Sequence, residues 1–195
     1  MTLQEFFGIG AGIVELVALP LYIRSILKGG TKPDRVTWWV LTLVSGLLTA
    51  SYFEVGAEQT IWLPLAFTIG MFLTALLSIK YGEGKLTLNT TDRISLIGAI
   101  VSLAVWSLLK SPITALYLII LTEFIGLYPT IQKSYMRPWT ESKLPWILGT
   151  VAAALNVLAI DQWTLAIALY PWYVLLTNTL IIYFLVYPRK KWPHN

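Results

Sequence analysis

ISLIGAIVSLAVWSLL, Ile94–Leu109, decides how the rest of this chain is arranged. It is the shortest apolar segment, and it stands alone between two sets of three longer ones. If it crosses a bilayer, the two sets run in the same direction; if it does not, they run in opposite directions. Around it, hydropathy divides the chain into candidate helices at Phe6–Leu27, Val36–Val55, Ile61–Tyr81, Ile94–Leu109, Pro112–Gln132, Leu144–Ile160 and Thr164–Tyr187. Each holds about 16–24 residues, near the roughly 20 needed to span about 30 Å of hydrocarbon.

Composition points the same way. Hydrophobic residues make up 56% of the 195-residue chain and charged residues 12%, against about 45–50% and about 25% in ordinary soluble proteins. So few charges could hardly cover a solvated surface, and the bilayer is the expected solvent. The absence of cysteine excludes disulfides, thiolate metal sites and cysteine nucleophiles. The lone histidine, His194, lies in the tail. The N-terminal MTLQEFFGIG lacks the basic stretch of a signal peptide, so the first apolar segment reads as a retained span.

Charge resolves the fourth segment. With seven crossings, one side of the membrane receives every one of the 14 Lys and Arg residues except Lys110. Without the fourth crossing that bias largely disappears. The positive-inside tendency therefore favours seven spans, an outside N-terminus and a cytoplasmic C-terminal PRKKWPHN. The expected location is the plasma membrane. The net charge of +4 reads as a topology signal, not as a nucleic-acid surface. Anionic lipid headgroups are a secondary partner. The N-x-T match at Asn89 falls on the cytoplasmic side and reads as chance. Trp38, Trp39, Trp139 and Trp146, with Tyr187 and Trp192, fall where interfacial anchors belong.

The first three segments match the last three in order. A glutamate sits mid-helix, Glu15 or Glu123, and a proline follows, Pro20 or Pro129. PLYIRS (Pro20–Ser25) and PTIQKS (Pro129–Ser134) then lead into basic loops, with Lys28 matching Arg137 and Thr31 matching Thr140. Trp38 or Trp146 opens the second helix, a short acidic loop follows, and the third helix carries an early proline, Pro64 or Pro171. The expected architecture is all-α integral membrane, with seven transmembrane helices in a 3+1+3 plan of parallel three-helix bundles. Its parts are residues 1–82, a loop and linker helix over 83–110, and 111–195 with a basic cytoplasmic tail.

This plan, with Pro-x-x-x-Lys/Arg-Ser closing the first helix of each triplet, resembles the SWEET and PQ-loop (MtN3-saliva-like) transporter superfamily in its full-length seven-helix form. The resemblance implies two bundles around a central pathway and alternating access by rocking. Leu21 and Thr130 stand where the family's PQ glutamine would be, and Leu65 and Trp172 stand where plant-type members carry asparagine. The vitamin transporters of the PnuC type share a similar architecture.

Glu15 and Glu123 carry the most information. A charged side chain at the bilayer centre costs about 2.5–3.5 kcal/mol on insertion scales, and no lysine or arginine lies at matching depth. Three roles fit them: carrying protons, binding a cationic or hydroxyl-rich solute, or a structural hydrogen bond to a neighbouring helix. Pro20 frees the carbonyl of Leu16 and Pro129 that of Ile125, because proline lacks the amide they would accept from. Acid and free carbonyl make a polar notch that must face protein or water, and each proline is a candidate hinge. Thr42, Ser45, Thr49 and Tyr52 share one face of the second helix; Gly149, Ala152, Ala153 and Asn156 share one in the sixth. The seventh carries Thr177, Asn178 and Thr179. Asn156 and Asn178 are the strongest solute-binding candidates, with interhelical bonding as the alternative. Gly8 and Gly12 read as close-packing positions.

The site expected from sequence is thus Glu15, Glu123, Asn156, Asn178, Tyr52 and Thr49, with hinges at Pro20 and Pro129. No cofactor is expected. Enzyme chemistry is the weakest class, since the sequence offers no Ser–His pair, phosphate loop or metal cluster. A retinal protein would need a lysine between Trp163 and Tyr187, and none is there. The expected function is a carrier for a small polar solute (sugar, amino acid, amine or vitamin precursor), proton-coupled through the glutamates. The alternative is a non-transporting receptor or assembly subunit. Homo-oligomer formation is left open.

Overall fold

The computed structural model describes residues 1–29, 32–82, 87–136, 138 and 143–187. They form α1 (Leu3–Leu27), α2 (Arg35–Glu54), α3 (Trp62–Tyr81), α4 (Thr90–Leu109), α5 (Pro112–Met136), α6 (Lys143–Leu158) and α7 (Leu165–Val186). Six of these, all but α6, are long and apolar enough to cross a membrane. Large apolar side chains face outward along the bundle: Ile13 is 57% exposed, Ile97 61% and Leu176 62%. An exposed apolar surface of this extent belongs in lipid, consistent with an integral membrane protein.

Helix starts follow from capping. Thr2 accepts from the Glu5 amide while Glu5 reaches back to the Thr2 amide. The same reciprocal box joins Asn89 and Asp92, and Asp34 accepts from the amides of Val36 and Thr37. The fourth helix, expected to be the shortest at Ile94–Leu109, spans 20 residues, and the 16-residue α6 is the shortest. The polar turn Thr90–Arg93 is helical because Asn89 and Asp92 satisfy its free amides. The Asn89 side chain is therefore occupied as a cap, and its Nδ2 also reaches Thr37 at 3.4 Å.

Packing closes a ring. α1 lies against α3 and α6, α3 against α2, α2 against α5, α5 against α7, and α7 against α6. α4 stands outside this ring, against α5 and α2. Lys110 takes a left-handed conformation, φ 52°, which lets α4 turn directly into α5. Gly8 and Gly12 serve close approach as expected. A Cβ at Gly8 would run into the Gln59 carbonyl, and one at Gly12 would lie 3.0 Å from the Trp62 carbonyl.

One bracket ties α2 to α7. Pro171 sits inside α7 and leaves the Ile167 carbonyl without its helical donor. The buried Tyr52 hydroxyl donates to that carbonyl at 2.6 Å and accepts from Thr60 at 2.7 Å. Thr31, Arg137, Trp139, Thr140 and the tail with Trp192 and His194 lie outside the described residues, as do the side chains of Pro129 and Lys133.

Candidate functional site: a polar cluster in the middle of the bundle

Glu15 is the middle residue of the 25-residue α1. α1 rests on α6 here because the facing residue is Gly149. Glu15 Oε2 lies 3.8 Å from where a Gly149 Cβ would stand, and Asn178 Nδ2 of α7 lies 3.0 Å from the same point. Three helices thus bring an acid and an amide over one bare patch of backbone. Glu15 Oε2 is buried and makes no hydrogen bond. Asn178 is 6% exposed.

A cavity of about 220 Å³ opens beside Glu15 toward the basic end of α1. Leu19 and Tyr22 of α1, Trp38 of α2, and Phe67, Gly70 and Thr74 of α3 are among its walls. It has room for a handful of waters at about 30 Å³ each, or for a small solute. Tyr22 and Trp38, whose ring centroids are 5.7 Å apart, narrow its far end. Leu16, whose carbonyl Pro20 releases, also lines it. Glu15 and Leu16, the residues of the expected notch, thus both line a protein cavity, while Pro20 itself is exposed on the outside of the helix.

Glu123 lies one residue from the middle of the 25-residue α5. Its Oε2 is likewise buried without a hydrogen bond. Tyr170 and Tyr173 of α7 stand within electrostatic reach of Glu123, and Tyr170 also of Glu15 and Tyr52. The Tyr52, Tyr170 and Tyr173 rings form a chain with centroid spacings of 5.4 and 6.3 Å. Tyr173 Oη is another buried polar atom with no partner.

Asn156 is wholly buried, with neither amide atom bonded. The expected stripe Gly149, Ala152, Ala153 and Asn156 is the buried face of α6. On α2 the expected face is occupied by protein hydrogen bonds. Thr49 pairs with Thr68 at 2.9 Å, Thr42 donates to Trp38 O, and Tyr52 forms the bracket described above. Thr177 donates to Tyr173 O, and Thr179 is exposed. The structure thus joins Glu15 with Asn178 and gives Thr49 and Tyr52 protein partners.

Sequence reasoning missed Tyr170 and Tyr173. Tyrosine in a membrane helix reads first as an interfacial anchor, and the nearby Pro171 was the only signal that this turn is special. Among the described residues, no group of three His, Cys, Asp or Glu could hold a metal ion. Comparison with protein-family models, with curated proteins and with solved structures finds no match for this chain.

Proposed function

We propose that this protein is a carrier for a small polar solute, working by alternating access between two three-helix bundles. In this reading all seven helices cross the membrane, and α1–α3 and α5–α7 are parallel repeats joined by α4. The helix neighbours support the repeat. Exchanging α1 with α5, α2 with α6 and α3 with α7 turns each ring contact into another ring contact. The charges support an outside N-terminus, and the plasma membrane is the location this reading takes. Arg24, Lys28, Arg35, Lys80, Arg93 and Lys143 fall at one set of helix ends, and Lys110 stands at the other.

The observation that carries the reading is Glu15, an unbonded acid in the middle of α1, beside a cavity and over the same glycine as Asn178. Ionisable groups at this depth mark solute or ion pathways. Counting from Pro64 and Pro171, Ala66 beside the cavity matches Tyr173 beside Glu123. The small residue shares a cavity wall with Glu15, and at the matching position a large one stands within electrostatic reach of Glu123. Glu15 and Asn178 are accordingly the solute-facing pair, Glu123 is the second proton-bearing group, and Pro20 and Pro129 are the hinges.

The test is uptake by liposomes containing the purified protein, with sugars, amino acids, amines and vitamin precursors as the panel. Glu15→Gln and Asn178→Ala should each lower uptake at least tenfold while the protein stays folded. Wild-type uptake in both variants refutes the site. An identical pH dependence in wild type, Glu15→Gln and Glu123→Gln refutes proton coupling.

A further inference from the structure

A second cavity, about 620 Å³, lies on the outside of the bundle, away from Glu15. It runs over α2, with α3 on one side and α4 on the other, lined by Arg35, Trp39, Leu43, Ile79 and Leu96 among others. Its walls are apolar and open to hydrocarbon: Leu43 is 51% exposed and Ile79 61%. Arg35 closes its basic end. One guanidinium nitrogen, Nε, donates to the Ser78 carbonyl at 3.3 Å, which fixes the fork at the mouth of the groove. No carboxylate pairs with Arg35 among the described residues. The described acids at this end are occupied as helix caps, Asp34 by the amides of Val36 and Thr37 and Asp92 by that of Asn89. Lys80, in the last turn of α3, and Arg93, in the first turn of α4, lie at the same end of the bundle, outside the lining of the groove.

We propose that this groove binds one anionic phospholipid, with Arg35 holding the phosphate and an acyl chain lying along Trp39, Leu43, Ile79 and Leu96. A guanidinium presents paired N–H donors that fit two phosphate oxygens at once. Its charge is permanent and, among the described residues, no carboxylate pairs with it, so the complement is an anion. The apolar length of the groove selects a lipid over a free anion. Bound there, the lipid would bridge α4 to α3 across α2 and stabilise the outer helix against the ring.

The experiment uses the full chain in nanodiscs and micelles, with phosphatidylglycerol as the probe and phosphatidylcholine as the neutral control. Native mass spectrometry counts retained lipid, and thermal unfolding reports stabilisation. The wild type should retain phosphatidylglycerol selectively. Arg35→Gln should weaken it roughly fivefold, the effect of one interfacial charge. Leu43→Trp, which narrows the groove from its exposed side and leaves Arg35 intact, should likewise weaken retention, so the proposal stands or falls even if Arg35→Gln unfolds. Equal retention of the two lipids, or undiminished selectivity in Leu43→Trp, overturns it. Equal stabilisation by inorganic phosphate identifies a free-anion site and overturns it. A dimer that Leu43→Trp dissociates identifies a second copy as the occupant and overturns it as well.

Discussion

Replacing Tyr52 with phenylalanine removes one oxygen and tests the joint between α2 and α7. The ring is fully buried, so its packing is retained. What is lost is the donor to Ile167 O at 2.6 Å and the acceptor for Thr60 at 2.7 Å. Ile167 O has no helical donor because residue 171 is proline. Leaving a buried carbonyl unpaired costs about 1–3 kcal/mol, and interhelical hydrogen bonds in membranes average about 0.6 with a maximum near 1.7 kcal/mol. Tyr52→Phe should therefore cost about 1–2 kcal/mol. Pro171→Ala restores an N–H at position 171 that can reach Ile167 O along the helix. In that background Tyr52→Phe should cost about 1 kcal/mol less. Equilibrium unfolding in mixed micelles, run on the wild type, both single variants and the double variant, measures this coupling. Additivity within about 0.3–0.5 kcal/mol would refute the claim that Tyr52 compensates for Pro171.

Other expectations follow from single contacts. Gly8→Ala should destabilise strongly, about 2 kcal/mol or more, because its Cβ meets the Gln59 backbone. Gly10→Ala, where the Cβ meets only the Leu155 side chain at 3.8 Å, should be neutral or stabilising by up to about 1 kcal/mol; thermal unfolding separates the two. Gly149→Ala should displace the Asn178 amide, 3.0 Å from the added carbon, and cut solute uptake more than it cuts stability. Asn89→Ala should cost about 1 kcal/mol through loss of the α4 cap, read by chemical unfolding. The chain has no cysteine, so single cysteines replacing Lys28 and Lys110 can be labelled from either face of intact cells. They should react from opposite faces, and labelling from the same face would refute the crossing of α4.

The sequence alone determined the helices, because a membrane segment needs some twenty apolar residues in a row and advertises them. It located Glu15 and Glu123, since an acid inside such a run is conspicuous, and it identified Gly8 and Gly12 as packing positions. It misjudged the start of α4, where capping by Asn89 and Asp92 carries the helix into polar sequence that hydropathy treats as loop. Only the tertiary structure placed a cavity beside Glu15, and Asn178 near the same acid. The cavity depends on Trp38 of α2 and on Ala66 and Gly70 of α3, and the approach of Asn178 depends on Gly149 of α6, residues on separate helices that share no local pattern. The structure alone also turned Tyr52 from a solute candidate into the donor for a carbonyl released by a proline 119 residues later in the chain. Periodicity reports which face of a helix is buried. What that face meets is fixed by ring order, and ring order is set by the shapes of small and large side chains across helices, information that no single segment contains.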